Sequence, residues 1–232
     1  MKLNLPNITA ICLQGRKTEL LGKNIIERID RNLTYMKRTI NFHDIIFISD
    51  LAPNVEGINH ILIEPITYYE YNRWCVKDLT NYFTTDFVLL FQDDGWPLNP
   101  ELWSDVFLDY DYVGAPSSNL QMINNVEGIT GGGFTLRSKR LMDYLHTIEF
   151  YPIDHPFPGE DTLITNFHRD DIVKRGMKLC PFNIARNFVV QDPIDENHTI
   201  NNTFGFHNPY IGLTTDTYIK EKLKSLDNTP QF

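Results

Sequence analysis

The 232-residue chain has no apolar run approaching the ~18 residues that a membrane helix needs. Its opening, Met1-Lys2-Leu3-Asn4-Leu5-Pro6, lacks the apolar core of a secretory leader, which points to the cytoplasm. Only three cysteines occur, Cys12, Cys75 and Cys180. They are scattered among apolar or aromatic neighbours without metal-ligand spacing, and they read as reduced core thiols. Basic residues are also short: 21 Lys and Arg face 30 Asp and Glu, a formal charge of -9. That argues against the basic stripe of a nucleic-acid-binding surface, but does not exclude one nucleotide held through a metal. No Gly-x-x-x-x-Gly-Lys phosphate loop, internal repeat or linker is present. One domain over 1–232 is the simplest reading, with a regular half over about 1–116 and a less regular one over about 117–232.

The first half alternates apolar runs with helical periodicity. Ile8–Leu13 reads as a buried strand, and Glu19–Ile40 as a helix carrying Leu20, Leu21, Ile25, Ile26, Ile29, Leu33 and Met36 at helical spacing. Ile45–Asp50 and His60–Glu64 read as further strands, and Tyr68–Tyr82 as a second amphipathic helix. This order predicts an α/β fold with a mostly parallel sheet covered by helices. In the second half, Asp111–Pro116 is a short strand ending in a turn. Ser138 caps a helix over Lys139–Thr147, and Gly159 opens another through Phe167. Met177–Pro181 and Phe188–Val190 read as strands.

The most informative stretch is Phe87-Val88-Leu89-Leu90-Phe91, five large apolar residues that stop at Gln92-Asp93-Asp94-Gly95. A continuous apolar run fits a strand buried on both faces, and ligands in open α/β sheets bind at such strand ends. Two carboxylates there suit a divalent metal or a phosphate-bearing ligand held through one; Asp and Gly are equally the residues of an ordinary turn. Asp94, beside Gly95, is the better-placed ligand, because glycine permits close approach. Asp93 is left to cap or to touch a sugar.

Three further groups carry chemistry. Gly131-Gly132-Gly133-Phe134 permits a turn on which a flat ligand such as a sugar ring can lie, or forms a flexible hairpin. Glu160-Asp161 either complements a helix dipole or supplies a general base for an acceptor hydroxyl. His207, within Phe204-Gly205-Phe206-His207, is either structural or a nitrogen ligand for a metal such as Mn²⁺.

Taken in order, these motifs resemble those of GT-A-type glycosyltransferases, and more specifically the DUF5672 family of predicted glycosyltransferases of bacteria and large viruses. The resemblance rests on Gln92-Asp93-Asp94-Gly95, Tyr110-Asp111-Tyr112-Val113-Gly114-Ala115-Pro116, Gly132-Gly133-Phe134-Thr135-Leu136-Arg137-Ser138, Glu160-Asp161 and Phe204-Gly205-Phe206-His207, and spans about residues 8–210. It implies a GT-A (Rossmann-like nucleotide-diphospho-sugar transferase) fold, with a nucleotide-binding half and then an acceptor and catalytic half. The implied activity is a hexosyl- or related transferase of polysaccharide biosynthesis. Such an enzyme moves a sugar from a nucleotide-sugar donor to a hydroxyl of a glycan or other acceptor, with inversion, in a bacterial or viral-host cytoplasm.

By the same resemblance Asp94 and His207 hold Mn²⁺ or Mg²⁺, Asp161 is the base, and Glu160 contacts the acceptor. Gln14, Arg16, Asp50, Gln92, Asp93, Gly132, Gly133 and Phe134 serve the donor. Gln92 stands where the family of folds carries the first Asp of an Asp-x-Asp motif, a departure that bears on metal dependence and is the main evidence for one alternative, a non-catalytic sugar- or nucleotide-binding module with a degenerate site. The other is a sugar-nucleotidyltransferase, whose Gly-rich basic loop after the first strand Gln14-Gly15-Arg16-Lys17 echoes only faintly.

Overall fold

A computed structural model describes residues 2–15, 23–116, 131–151, 159–207, 220–222 and 224. Strand β1 (Leu3–Leu13) is followed by helix α1 (Lys23–Thr39), β2 (Ile40–Ser49), β3 (Asn59–Leu62), α2 (Tyr68–Arg73), β4 (Phe87–Phe91) and β5 (Gly95–Pro97). Then come β6 (Tyr112–Val113), β7 (Phe134–Ser138), α3 (Lys139–Thr147), α4 (Glu160–Thr162), α5 (Arg169–Lys174), α6 (Phe182–Phe188), β8 (Val189–Val190) and β9 (Gly205–His207). The main sheet has the order β3-β2-β1-β4-β7-β6. Its first four strands run parallel, while β7 is antiparallel to both β4 and β6. This is the mixed α/β fold with a mostly parallel sheet that the apolar runs predict.

The order places the site. The chain steps outward from β1 through β2 to β3, then crosses back to lay β4 on the other side of β1. A reversal of this kind opens a crevice at the carboxyl ends of the two strands that flank it. Those ends are Leu13-Gln14 and Phe91-Gln92. Between the two neighbours, Val88, Leu89, Leu90 and Phe91 of β4 lose essentially all solvent contact.

Several element boundaries differ from expectation. β1 begins five residues early, because Leu3–Leu5 pair with Ile40–Phe42 before the ladder breaks and resumes at Thr9. Pro6 lies in that break, where its missing N–H costs no ladder bond. β3 is not buried but an edge strand, and Leu62 is 72% exposed. The uniform helix expected over Tyr68–Tyr82 is α only to Arg73, then a π turn (Trp74–Asp78) and a 3₁₀ turn (Leu79–Tyr82). Within the π turn the Cys75 carbonyl accepts from the buried guanidinium of Arg137 at 2.9 Å. A side chain that takes a ladder carbonyl is a recognised cause of such widening. A second π turn (Leu163–Phe167) follows α4. Met177–Pro181 is not a strand: only Leu179 bridges to Tyr112, and the Lys178 N–H is taken by the Asp111 carboxylate at 2.7 Å. The helix expected over Glu19–Ile40 is seen from Lys23; residues 16–22 lie outside the described set.

Asp111 explains the Tyr-Asp-Tyr segment. Its buried carboxylate accepts from Ser138 Oγ, the Lys178 N–H and both Nε and Nη2 of Arg140. Burial pushes this carboxyl up, but these donors and the Arg140 charge outweigh it and hold it below the usual aspartate value. The motif therefore ties β6 to the start of α3, at the end of the sheet away from the crevice.

A small second sheet of order β5-β9-β8 stands beyond β4. Gly95 pairs with His207 and Pro97 with Gly205. The rings of Phe134, Phe188 and Phe204 pack at 5.2–6.0 Å and join this sheet to β7. The three cysteines are free and buried. Among the described residues no helix is long and apolar enough to cross a membrane.

Candidate active site

The crevice at the end of β4 gathers residues from four distant parts of the chain. Antiparallel pairing of β4 with β7 sets Phe91 opposite Phe134, so the Gln92 N–H meets the Gly133 carbonyl at 2.9 Å. The turn Gln92–Asp94 and the glycine run therefore lie side by side. Pairing of β5 with β9 brings in His207. Its Nε2 stands 3.4 Å from Asp94 Oδ1 and 3.2 Å from Gln92 Oε1. Its Nδ1 stands 2.9 Å from Gln191 Oε1. Gln92 donates through Nε2 to Tyr71 Oη at 2.5 Å, which turns its Oε1 toward His207.

The glycines have a steric cause. A Cβ on Gly133 would fall 1.9 Å from His207 Nε2, and one on Gly132 would fall 1.9 Å from Glu160 Oε1. Gly131 has φ +97°, a conformation that L side chains rarely adopt. The side chains of His207 and Glu160 thus occupy the room that missing side chains leave. Replacing Gly133 by alanine is expected to cost about 1–3 kcal/mol by overpacking and to displace the imidazole. A thermal melt together with loss of the His207–Asp94 contact in a crystal structure checks this; an unchanged melting temperature and contact would refute it.

Asp161 sits at the start of α4, after Gly159 with φ +110°. Its Oδ2 accepts from the Gly131 N–H at 2.8 Å and its Oδ1 from the Thr162 N–H at 2.7 Å. Glu160 instead turns inward. Its carboxylate is buried against Arg137, Oε1 to Nη2 2.8 Å, and its N–H donates to Asn72 Oδ1. Arg137 is wholly buried and also donates to Thr135 Oγ1 and the Cys75 carbonyl. Burial pushes the Glu160 carboxyl up, Asp161 adds to this, and Arg137 offsets only part of it.

Asp93 is engaged by the Arg28 guanidinium of α1. Burial pushes the Asp94 carboxyl up, but the hydrogen bond and charge of His207, its own backbone N–H and the Arg28 charge prevail and hold it below the usual value. Gln14 is buried at the end of β1, where its N–H donates to Ile48 O, and Asp50 follows the end of β2, half-buried. The Phe134 ring is wholly buried in the aromatic cluster, so only its backbone borders the glycine ledge. Arg16 lies outside the described residues.

The donor set fits a divalent cation in a limited way. His207 Nε2 lies 3.2 Å from Gln92 Oε1 and 3.4 Å from Asp94 Oδ1, so one imidazole nitrogen and two oxygens converge, atom types that a divalent transition metal accepts. Among the described residues no group of three His, Cys, Asp or Glu comes together, so an ion here would need oxygens of a bound ligand to complete its shell.

Arg28, Tyr71, Asn72, Arg137 and Gln191 also contact the site residues, and none belongs to the groups that the sequence singles out as carrying chemistry. Two had a signal. Arg137 is a charge inside the apolar strand Phe134–Ser138, which calls for a buried carboxylate. Gln191 follows Val189-Val190 as Gln92 follows Leu90-Phe91, a polar group at a strand end. The others are ordinary helix residues by pattern.

A family model described as a protein of unknown function, DUF5672, matches residues 46–207. Among solved structures, a glycosyltransferase involved in the glycosylation of the major capsid of PBCV-1 aligns with 92% of this chain and 98% of its own, at 12% identity and a TM-score of 0.58. The inositol-1-phosphate CTP transferase from T. maritima aligns with 97% of this chain and 98% of its own, at 12% identity and a TM-score of 0.44. Glucosyl-3-phosphoglycerate synthase from Mycobacterium tuberculosis, in complex with Mn²⁺, UDP and phosphoglyceric acid, aligns with 74% of this chain and 66% of its own, at 12% identity and a TM-score of 0.43. No curated protein matches by sequence. The likeness to the capsid glycosyltransferase is one of fold.

Proposed function

We propose, from the premise that the chain belongs to the DUF5672 family, that it is a glycosyltransferase acting on a nucleotide-sugar donor and a hydroxyl acceptor, as one GT-A-like domain. The observation that carries this reading is the convergence of Asp94, Gln92 and His207 beside the ledge that holds Asp161. It lies at the switch point of the sheet, where an α/β fold binds nucleotides.

Asp94 and His207 would hold Mn²⁺ or Mg²⁺, with donor phosphates completing the shell. The ion would supply charge stabilisation to the departing nucleoside diphosphate. Gln14 and Asp50, at the ends of β1 and β2, face the nucleoside, and Arg28 offsets the charge of Asp93 beside the turn. Gln92 orients His207, and Gly132 and Gly133 form the floor under the donor sugar. Asp161 takes the proton from the acceptor hydroxyl as that oxygen attacks C1, and the product is an inverted glycosidic bond. The two N–H groups on Asp161 leave carboxylate lone pairs for the acceptor. Glu160, paired inward to Arg137, fixes where Asp161 stands.

A thermal shift series with UDP-, GDP- and dTDP-sugars, each with and without Mn²⁺, tests the reading. One donor should raise the melting temperature, more strongly with Mn²⁺, and release nucleoside diphosphate when acceptors are added. No stabilisation by any donor refutes it. Stabilisation without nucleotide release points to a binding module, and pyrophosphate release from a nucleoside triphosphate to a nucleotidyltransferase.

A further inference from the structure

We propose that the exposed ring of Tyr68 is a platform on which a sugar ring of the acceptor stacks, so that the acceptor is a carbohydrate; this rests on the reading above, in which Asp161 is the base for an acceptor hydroxyl. Tyr68 opens α2, yet the helix start does not depend on it. The cap is Thr67, whose Oγ1 accepts from the Glu70 N–H at 3.2 Å while the Glu70 carboxylate accepts from the Thr67 N–H at 2.7 Å. Tyr68 is 66% exposed, but its hydroxyl end is set at the site. A Cβ on Gly159 would lie 3.4 Å from Tyr68 Oη and 2.9 Å from Asp161 Oδ1, so the phenol and the base border one point. Asn72 fixes this relation. It is wholly buried, its Nδ2 donates to the Tyr68 carbonyl at 2.6 Å, and its Oδ1 accepts from the Glu160 N–H at 2.8 Å. The first turn of α2 and the start of α4 are thereby one hydrogen-bonded unit.

The chemistry of this corner matches a sugar. A pyranose carries C–H bonds on its faces and hydroxyls around its rim. Its C–H hydrogens are weakly positive and pack against the negative face of an aromatic ring. Its hydroxyls need polar partners. A ring and a carboxylate side by side supply both: Tyr68 takes the apolar face of the sugar, and Asp161 takes the proton of the hydroxyl that attacks. The charges favour a neutral acceptor. Burial raises the Tyr68 hydroxyl above the usual tyrosine value, the Asn72 side chain offsets part of this, and the charges of Glu160 and Asp161 raise it further. The phenol therefore keeps its proton, and the carboxylates beside it repel an anionic acceptor.

The test supplies the full chain with the donor that stabilises it and Mn²⁺. Methyl glycosides of glucose, galactose, mannose, rhamnose and fucose serve as acceptors, beside a serine-containing peptide. Wild type should release nucleoside diphosphate faster with one of the glycosides than with water alone. Tyr68→Ala should raise KM for that glycoside about 10-fold, with a smaller fall in turnover at saturation, while the thermal shift with donor persists. Tyr68→Gln stands in if the Ala variant does not fold. Tyr68→Phe, which keeps the ring, should hold KM within about twofold of wild type. Val173→Ala, at an exposed apolar residue of α5, is the control and should leave KM unchanged. A wild-type KM in Tyr68→Ala overturns the proposal. So does a Tyr68→Phe variant as weak as Tyr68→Ala, which would assign the role to the hydroxyl, and so does use of the peptide but of no glycoside. If no donor stabilises wild type, the glycosyltransferase reading fails. In that case, or if no acceptor is used, saturation-transfer NMR with the same glycosides decides. Signal in wild type and Tyr68→Phe that is lost in Tyr68→Ala upholds the platform, and absence of signal in wild type refutes it.

Discussion

Replacing Glu160 by alanine should lower the unfolding free energy by about 3–5 kcal/mol, the usual cost of stranding one member of a buried ion pair. Arg137 has no solvent exposure, and its other partners, Thr135 Oγ1, the Cys75 carbonyl and the Tyr112 ring at 5.5 Å, are neutral. The loss comes from the abandoned guanidinium more than from the missing carboxylate. Replacing both partners, as in Glu160→Leu with Arg137→Met, should therefore recover most of it. Glu160→Gln, which keeps an acceptor for Nη2, should fall between.

The raised carboxyl of Glu160 adds a pH signature. Its folded value lies above the ordinary 4.5, with burial first and Asp161 second among the causes. Protonation of this group therefore favours the folded chain. Its contribution is fully present below the ordinary value and is lost as pH rises through the raised one. Glu160→Gln should remove that part of the pH slope. Urea denaturation of the four proteins across pH measures all of this. A loss below about 1 kcal/mol in Glu160→Ala would mean that Arg137 finds another partner.

Asp161→Asn should lower the turnover of sugar transfer by about 10²–10⁴-fold, the range attributed to one general base. Donor binding, read as the thermal shift with nucleotide-sugar and Mn²⁺, should persist because Asp94, His207 and Gln92 are untouched. The substitution also has a structural cost. Both carboxylate oxygens accept a backbone N–H, from Gly131 and Thr162, and an amide must face one of them with its own NH₂. That costs about 1–3 kcal/mol, so rates need comparison at a temperature where both proteins are folded. The two effects separate the roles. A lower melting temperature with unchanged turnover makes Asp161 a tether of the glycine ledge and removes it as the base.

What could be read from the chain follows the range of each physical signal. The run Phe87–Phe91 declared a buried strand, and the strand is there with the same limits. Ser138 and the periodicity after it placed the cap and the helix Lys139–Thr147 correctly, since both depend on residues within four positions. The α/β class with a mostly parallel sheet followed from the same local patterns. The strands of the small sheet are two or three residues long, too short to carry any period, so the partner of Gly95 could not be foreseen.

The sequence by itself determined that a strand ends in carboxylates, that three glycines precede a second strand, and that an acidic pair and a late histidine follow. Only the tertiary structure decided their relations. It set His207 against Gln92 across 115 positions, filled the space over Gly132 and Gly133 with Glu160 and His207, and turned Glu160 inward to Arg137. The physical reason is register. Side-chain spacing along one strand is written in the chain, but which strands lie edge to edge, and in which phase, depends on burying every apolar face at once. The crevice is built from those pairings, β4 with β7 and β5 with β9, and from the long-range packing that holds them.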